Sequence, residues 1–254
     1  MSGKVALVTG GAKRIGRSIC EALASAGYGL VIHYLTSHNE AVDTRDACLA
    51  LGSPEVVLHR GDLASPGGRD SLLSVALEKF GRVDLLVNSA SAFIYDDVNS
   101  FSAESLQFHL QTNYLAPVEL TMALYGACSQ AGLSGSHVVT LLDQKVYNLN
   151  TDYVTYTLAK LASHSSIRFL AQCCAPVLRV NAVAPGVTFV SGEMSQVEFE
   201  DAHRIAALGR SSTPQDIADA VLMLDRSRAV TGQTIVVDGG QHLVPRPRDV
   251  AFKV

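Results

Sequence analysis

The chain has 254 residues, of which 48% are hydrophobic and 17% charged, and its formal net charge is −4. That length can bury a substantial core within one domain, and no basic run is long enough to point to nucleic acid or an anionic membrane. No apolar stretch reaches the ~18 residues that span a bilayer, and strand-like sequence begins by Val5, which leaves no room for a signal peptide, so a cytoplasmic protein is expected. Cys20, Cys48, Cys128, Cys173 and Cys174 are odd in number and lack CxxC spacing; they read as free thiols in a reducing compartment, and no metal site is expected.

A first strand is expected over 4–9 (KVALVT), followed by Thr9-Gly10-Gly11-Ala12-Lys13-Arg14-Ile15-Gly16 and a helix over 15–26. Glycines in such a turn let backbone approach a pyrophosphate, and the helix N-terminus favours the negative charge. The second strand, 29–34, runs into His33-Tyr34-Leu35-Thr36-Ser37, with no acid before Glu40. A carboxylate there would hold a ribose 2′-hydroxyl and repel a 2′-phosphate. The hydroxyls of Thr36 and Ser37, with Lys13 and Arg14, instead favour NADP(H). Thr36 and Ser37 would also suit the cap of a helix over 38–51.

Further strands are expected over 55–60, 83–88, 136–142, 177–183 and 233–239, and helices over 66–80, 103–130, 152–174 and 214–225. Strict alternation implies parallel strands joined by right-handed crossovers: a single α/β domain with a Rossmann-type, doubly wound parallel sheet of about seven strands and helices on both faces. Irregular structure is expected over 187–212 and in the tail after Gly240, whose two prolines forbid a regular helix.

Tyr156 and Lys160 lie one helical turn apart in YVTYTLAK, so both side chains leave one face of the helix. A phenol beside a fixed ammonium suits proton transfer to a carbonyl or imine, and Lys160 is expected to lower the phenol's pKa. Set after a dinucleotide-type turn, this pair resembles the short-chain dehydrogenase/reductase family over nearly the whole chain. The matching stations are the TGGAKRIG turn, Asp62-Leu63, Asn88-Ser89-Ala90-Ser91, Asn113, Tyr156-x-x-x-Lys160, Pro185-Gly186 and Val237-Asp238-Gly239-Gly240. In two places the chain departs from the family's common pattern. Arg14 replaces the middle glycine of the turn, and Asp143 replaces the serine thirteen residues before the tyrosine. Both departures resemble pteridine reductases and dihydromonapterin reductases, as does the run Ser91-Ala92-Phe93.

The resemblance implies residue roles. Gly10, Lys13, Arg14, Ile15, His33, Tyr34, Thr36, Ser37, Asp62, Leu63, Asn88, Ser89, Ala90, Lys160, Pro185 and Gly186 would bind NADP(H). Asp143, Tyr156, Lys160 and Asn113 would form the catalytic set, Asn113 by positioning a water in a proton relay. Arg14, Ser91, Phe93, Asp143 and Tyr156 would meet a pterin, with Phe93 stacked opposite the nicotinamide; Tyr147, Tyr153 and Phe189 are further pocket candidates. Residues 188–210 would be a substrate lid that includes Glu193, Met194, Val197 and Phe199, short enough to argue for a compact substrate. The tail 241–254, with Arg246, Arg248 and Asp249, would reach a partner subunit's site in a homo-oligomer, a tetramer being favoured. The expected activity is NADPH-dependent reduction of a dihydropterin or dihydromonapterin. Reduction of another small carbonyl or oxoacyl compound, and NADPH binding without turnover, are the alternatives.

Overall fold

The computed structural model describes residues 3–190, 195–250 and 252. Its strands are β1 Val5–Thr9, β2 Gly29–Tyr34, β3 Val56–Arg60, β4 Leu85–Asn88, β5 Ser136–Leu141, β6 Leu178–Pro185 and β7 Thr234–Val237. All pair in parallel, in the order β3-β2-β1-β4-β5-β6-β7. The connection from β3 carries the chain back across the sheet to the other side of β1. The β1/β4 boundary is therefore the topological switch point, where a crevice opens beyond the strands' C-terminal ends.

Parallel strands covered on both faces need apolar side chains pointing both ways. β1 shows this: Leu7 packs into one buried cluster, while Ala6 and Val8 pack into the other. The first cluster receives helix α3 (Pro66–Phe80), through Leu72 and Ala76, and α5 (Ala116–Gln130), through Leu120 and Leu124. It also receives Ile167 and Leu170 of α6 (Val154–Cys174). The second receives α1 (Arg14–Ser25), through Ile19 and Leu23, and α8 (Pro214–Arg226), through Ile217, Val221 and Leu224. Helix α2 is His38–Ala50.

Three stretches differ from the sequence expectation. The long helix expected over 103–130 is α4 (Ala103–Leu110), a π-helical turn Gln111–Leu115 holding Asn113, and α5. The span 187–212 contains a regular helix, α7 (Gln196–Arg204), started by a capping box between Ser195 and Glu198. Helix α2 has Ser37 at its N-cap but no side-chain capping bond, so the Ser37 hydroxyl is not used there.

Candidate active site

A cavity of about 830 Å³ lies across the strand ends at the switch point. It is bounded by the β1–α1 turn, the ends of β2 and β3, the loop after β4, the loop after β5, α6 and the segment after β6. Such a volume is in the range that takes a cofactor together with a small substrate.

The β1–α1 turn is built for close backbone approach. Gly10 has φ +62°, and a Cβ there would lie 2.9 Å from the Ala90 Cα. A Cβ on Gly16 would lie 2.2 Å from the Gly10 carbonyl oxygen, so glycine lets α1 dock onto the turn. The Thr9 hydroxyl accepts from the backbone N–H groups of Ser89 (2.9 Å) and Ala90 (3.0 Å), tying the turn to the end of β4. Lys13, Arg14, Ile15, Tyr34, Thr36 and Ser37 line this end of the cavity, as do Asp62, Leu63, Ser89 and Ala90. The donor set fits an NADP(H) pyrophosphate and 2′-phosphate: an open glycine turn, a helix N-terminus, Lys13, and two hydroxyls with no carboxylate between them.

Two of the residues expected to bind the cofactor, His33 and Asn88, are buried. His33 lines the cavity, but both its ring nitrogens are used within the protein. Nδ1 accepts from the Gly10 N–H at 3.1 Å, and Nε2 donates to the Gly61 carbonyl at 2.9 Å. Burial lowers its pKa, so the ring is neutral and braces the ends of β1, β2 and β3 against each other. Asn88 is buried and is not among the lining residues; its Nδ2 donates to the Thr140 hydroxyl at 3.4 Å, while its Oδ1 has no hydrogen-bond partner among the described residues.

At the other end, β5 delivers Asp143 and α6 delivers Tyr156 and Lys160. The Tyr156 hydroxyl donates to Asp143 Oδ2 at 2.8 Å, while Asp143 Oδ1 accepts from the Lys145 backbone N–H at 2.8 Å. Lys160 Nζ donates to the Leu141 carbonyl at 2.8 Å and lies 5.6 Å from the Tyr156 ring centre. Burial raises the Asp143 pKa, against the lowering effect of the two hydrogen bonds it accepts. Burial, followed by the Asp143 charge and hydrogen bond, holds the Tyr156 phenol well above its ordinary value. The expected depression of that phenol by Lys160 is therefore outweighed. Burial also lowers Lys160 to about 8.

Asn113 does not face the cavity. Its Oδ1 accepts from the Ala92 N–H and its Nδ2 donates to the Ala92 carbonyl, both at 2.8 Å. These two bonds fix the loop that carries Ser91 and Phe93. Phe93 lies in the cavity wall with one face stacked on Tyr153 (4.3 Å, 17°) and stands edge-on to Tyr156 at 4.7 Å. Tyr153 itself is held at φ +56°, a left-handed conformation that non-glycine residues rarely adopt. Tyr147 lies outside the lining, against His164 at 3.0 Å.

The lid and tail were the least legible parts of the sequence. Arg14 reaches the segment after β6, where a lid is expected: its guanidinium donates to the Val190 carbonyl at 3.0 Å and lies over the Phe189 ring at 4.9 Å. Glu193 and Met194 fall outside the described residues, and Val197 and Phe199 on α7 do not line the cavity. In the tail, for which reach to a partner subunit is expected, Arg246, Arg248, Asp249 and Val250 join the lining of this chain's cavity. Lys145 also lines the cavity and drew no attention in the sequence. Its only signal there was its place two residues after Asp143.

The family model described as enoyl-(acyl carrier protein) reductase matches residues 10–242. The oxidoreductase YmfI of Bacillus subtilis (strain 168) is 31% identical over 245 residues, covering 94% of this chain and 99% of that protein. The NADPH-dependent aldehyde reductase 2, chloroplastic, of Arabidopsis thaliana is 29% identical, with 94% of each chain covered. Among solved structures, FolM alternative dihydrofolate reductase 1 from Brucella canis, complexed with NADP, superposes with a TM-score of 0.86. It is 34% identical and covers 94% of each chain. A glycine turn at the switch point, a Tyr-x-x-x-Lys helix and these likenesses along the whole length lead to one assignment: the chain belongs to the short-chain dehydrogenase/reductase family, as an NADPH-dependent reductase.

Proposed function

We infer that the substrate is a pterin, of the dihydropterin or dihydromonapterin type. One observation carries this reading: the carboxyl group of Asp143, 2.8 Å from the Tyr156 hydroxyl, in a position where the family commonly has serine. Reducing a ring C=N bond adds hydride to carbon and a proton to nitrogen. When bound, NADPH supplies the hydride from its nicotinamide. The protein's task is to orient the two rings and deliver the proton. Tyr156, kept protonated by burial and by Asp143, is the donor next to the substrate; Asp143, a carboxyl group 2.8 Å from the phenol whose pKa burial raises, would return a proton to it. A serine hydroxyl, with a far higher pKa, cannot make that return at neutral pH.

Lys160 would hold the nicotinamide ribose hydroxyls, and its position on the Leu141 carbonyl fixes where its ammonium points. Phe93 offers a flat apolar wall to a bicyclic heterocycle, and such stacking contributes about 1 kcal/mol beyond area burial. The Brucella canis neighbour, described as an alternative dihydrofolate reductase, supports the pterin class, because dihydrofolate carries a pterin ring.

The test is oxidation of NADPH, followed by its absorbance, with dihydromonapterin, dihydrofolate, a small ketone and an oxoacyl thioester in parallel. The pterin reading expects turnover at least about 100-fold more efficient with one of the pterins, the range a positioned acid–base group contributes. Faster turnover of the ketone or thioester overturns it. That outcome would favour the carbonyl-reductase alternative, which accords with the aldehyde reductase relative.

A further inference from the structure

The tail beyond Gln241–Leu243 is fastened to the substrate end of the cavity at several points. Near its start, the Asn148 side chain donates to the Val244 carbonyl at 3.1 Å. Farther on, Arg248 pairs with the buried Asp152 at 2.8 Å, and the Asp249 backbone N–H donates to the same carboxylate at 2.7 Å. The Phe252 ring ends the strap, 5.1 Å from Tyr95 and 6.2 Å from Tyr153. Between these anchors the Asp249 carboxylate accepts from Lys145 Nζ at 3.0 Å. The Lys145 side chain is only 3% exposed, donates as well to Asn150 Oδ1 at 2.5 Å, and lies over the Tyr153 ring at 5.4 Å.

Lys145 belongs to the short loop that holds Asp143, and its own N–H is the donor to Asp143 Oδ1. A buried ammonium needs a carboxylate partner, since an unpaired charge in this position is costly. Within the loop only Asn150 supplies a side-chain acceptor for it, and Asp249 of the tail supplies the charge. The strap thus clamps the loop from outside while Tyr156 holds Asp143 from inside. We propose that the C-terminal strap is a built-in wall of this chain's own active site, and that Asp249, acting through Lys145, is a positioning residue for the Asp143–Tyr156 pair. This rests on the reading of that pair as the proton-delivering group.

The charge pattern has a consequence in the same direction. Asp143 is faced by Tyr156 and Lys160 from α6, by Lys145 from its own loop and by Asp249 from the tail. The Asp249 charge helps to keep the proton on both Asp143 and Tyr156. Neutralising Asp249 removes that help and leaves Lys145 uncompensated, so both effects favour loss of the Asp143 proton at lower pH.

The deciding variants are Asp249→Asn and Asp249→Glu, each measured two ways. The first measurement is an NMR titration of 13C-carboxyl-labelled aspartate, with the Asp143 resonance assigned by its loss in Asp143→Asn; it requires no substrate. We expect its midpoint to fall in Asp249→Asn and to recover in Asp249→Glu. The second is the pH profile of NADPH oxidation with the best substrate found. There the alkaline limb should move to lower pH in Asp249→Asn and kcat/KM should fall about tenfold, while the Kd for NADPH stays as in the parent. An unchanged Asp143 midpoint in Asp249→Asn overturns the proposal, whether or not thermal stability drops. Absence of turnover with every pterin would count against the substrate assignment alone, since the carboxyl titration reads the clamp independently.

Discussion

Arg14 stands where the family usually has glycine, and it keeps a glycine-like backbone, with φ +54°. A left-handed conformation costs a side-chain-bearing residue about 1–2 kcal/mol, and the guanidinium's contacts to Val190 and Phe189 are the visible return. Arg14→Gly should therefore leave thermal stability unchanged or higher, yet raise the KM for substrate severalfold; melting curves and steady-state kinetics on one preparation check both signs. Lys160 adds a pH prediction. Burial sets its pKa at about 8, so the ammonium is present below that value and is lost as pH rises through it. NADPH affinity in the free protein, read by fluorescence titration, should weaken above about pH 8, and Lys160→Met should abolish that step.

Far from the site, Asp225 accepts from Lys4 at 2.7 Å and from the Tyr28 hydroxyl. Burial alone would raise this carboxyl, but the His137 ring nitrogen 3.7 Å away and the hydrogen bonds from Lys4 and Tyr28 outweigh it and hold the pKa far below the ordinary carboxylate value. A depressed carboxyl stabilises the fold above its unfolded pKa, and that stability is lost as pH falls through the folded value. Asp225→Asn should cost about 3 kcal/mol at neutral pH and flatten the acid limb of the stability curve from chemical denaturation.

At the scale of elements, regular strands and capped helices could be read from sequence closely. β2 at 29–34 and α3 at 66–80 match their expected ranges, because apolar runs and a serine–proline start leave little freedom. The π-turn at Gln111–Leu115 could not be read, since one extra residue in a helix barely disturbs its apolar period. Helix α7 had a legible signal in Ser195 and Glu198, three apart, but its exposed face lacks the apolar stripe that marks a core helix. At the site, the Tyr156–Lys160 spacing was legible because it is one helical turn, whereas Asp143 was legible through the resemblance to pteridine reductases. The partners of Asn113 and His33 lie across loops that no spacing reveals. Asn113→Ala would leave two backbone groups of Ala92 unpaired, at roughly 1 kcal/mol each. It should lower stability by about 2 kcal/mol and raise the pterin KM more than the NADPH KM, which denaturation and kinetics can separate.

Over the whole molecule, one seven-stranded sheet sets the β1–α1 glycine turn and the Asp143–Tyr156 pair around one cavity. Among the described residues no helix is long and apolar enough to cross a membrane. On α6, Leu158 and Phe169 stay exposed, Phe169 at 65%, although the same helix forms one wall of the site. A homo-oligomer would cover them. Light scattering should give the mass of four chains, and the mass of one chain would rule this out.

We infer that a carboxyl group in the place of a serine fits this site to a pterin. The most direct measurement is kcat/KM of Asp143→Ser with the preferred dihydropterin and with a simple ketone, at a pH where the parent is active. A loss of about 100-fold or more is expected with the pterin, with an unchanged or improved rate for the ketone. A variant that reduces the pterin as well as the parent does would contradict it.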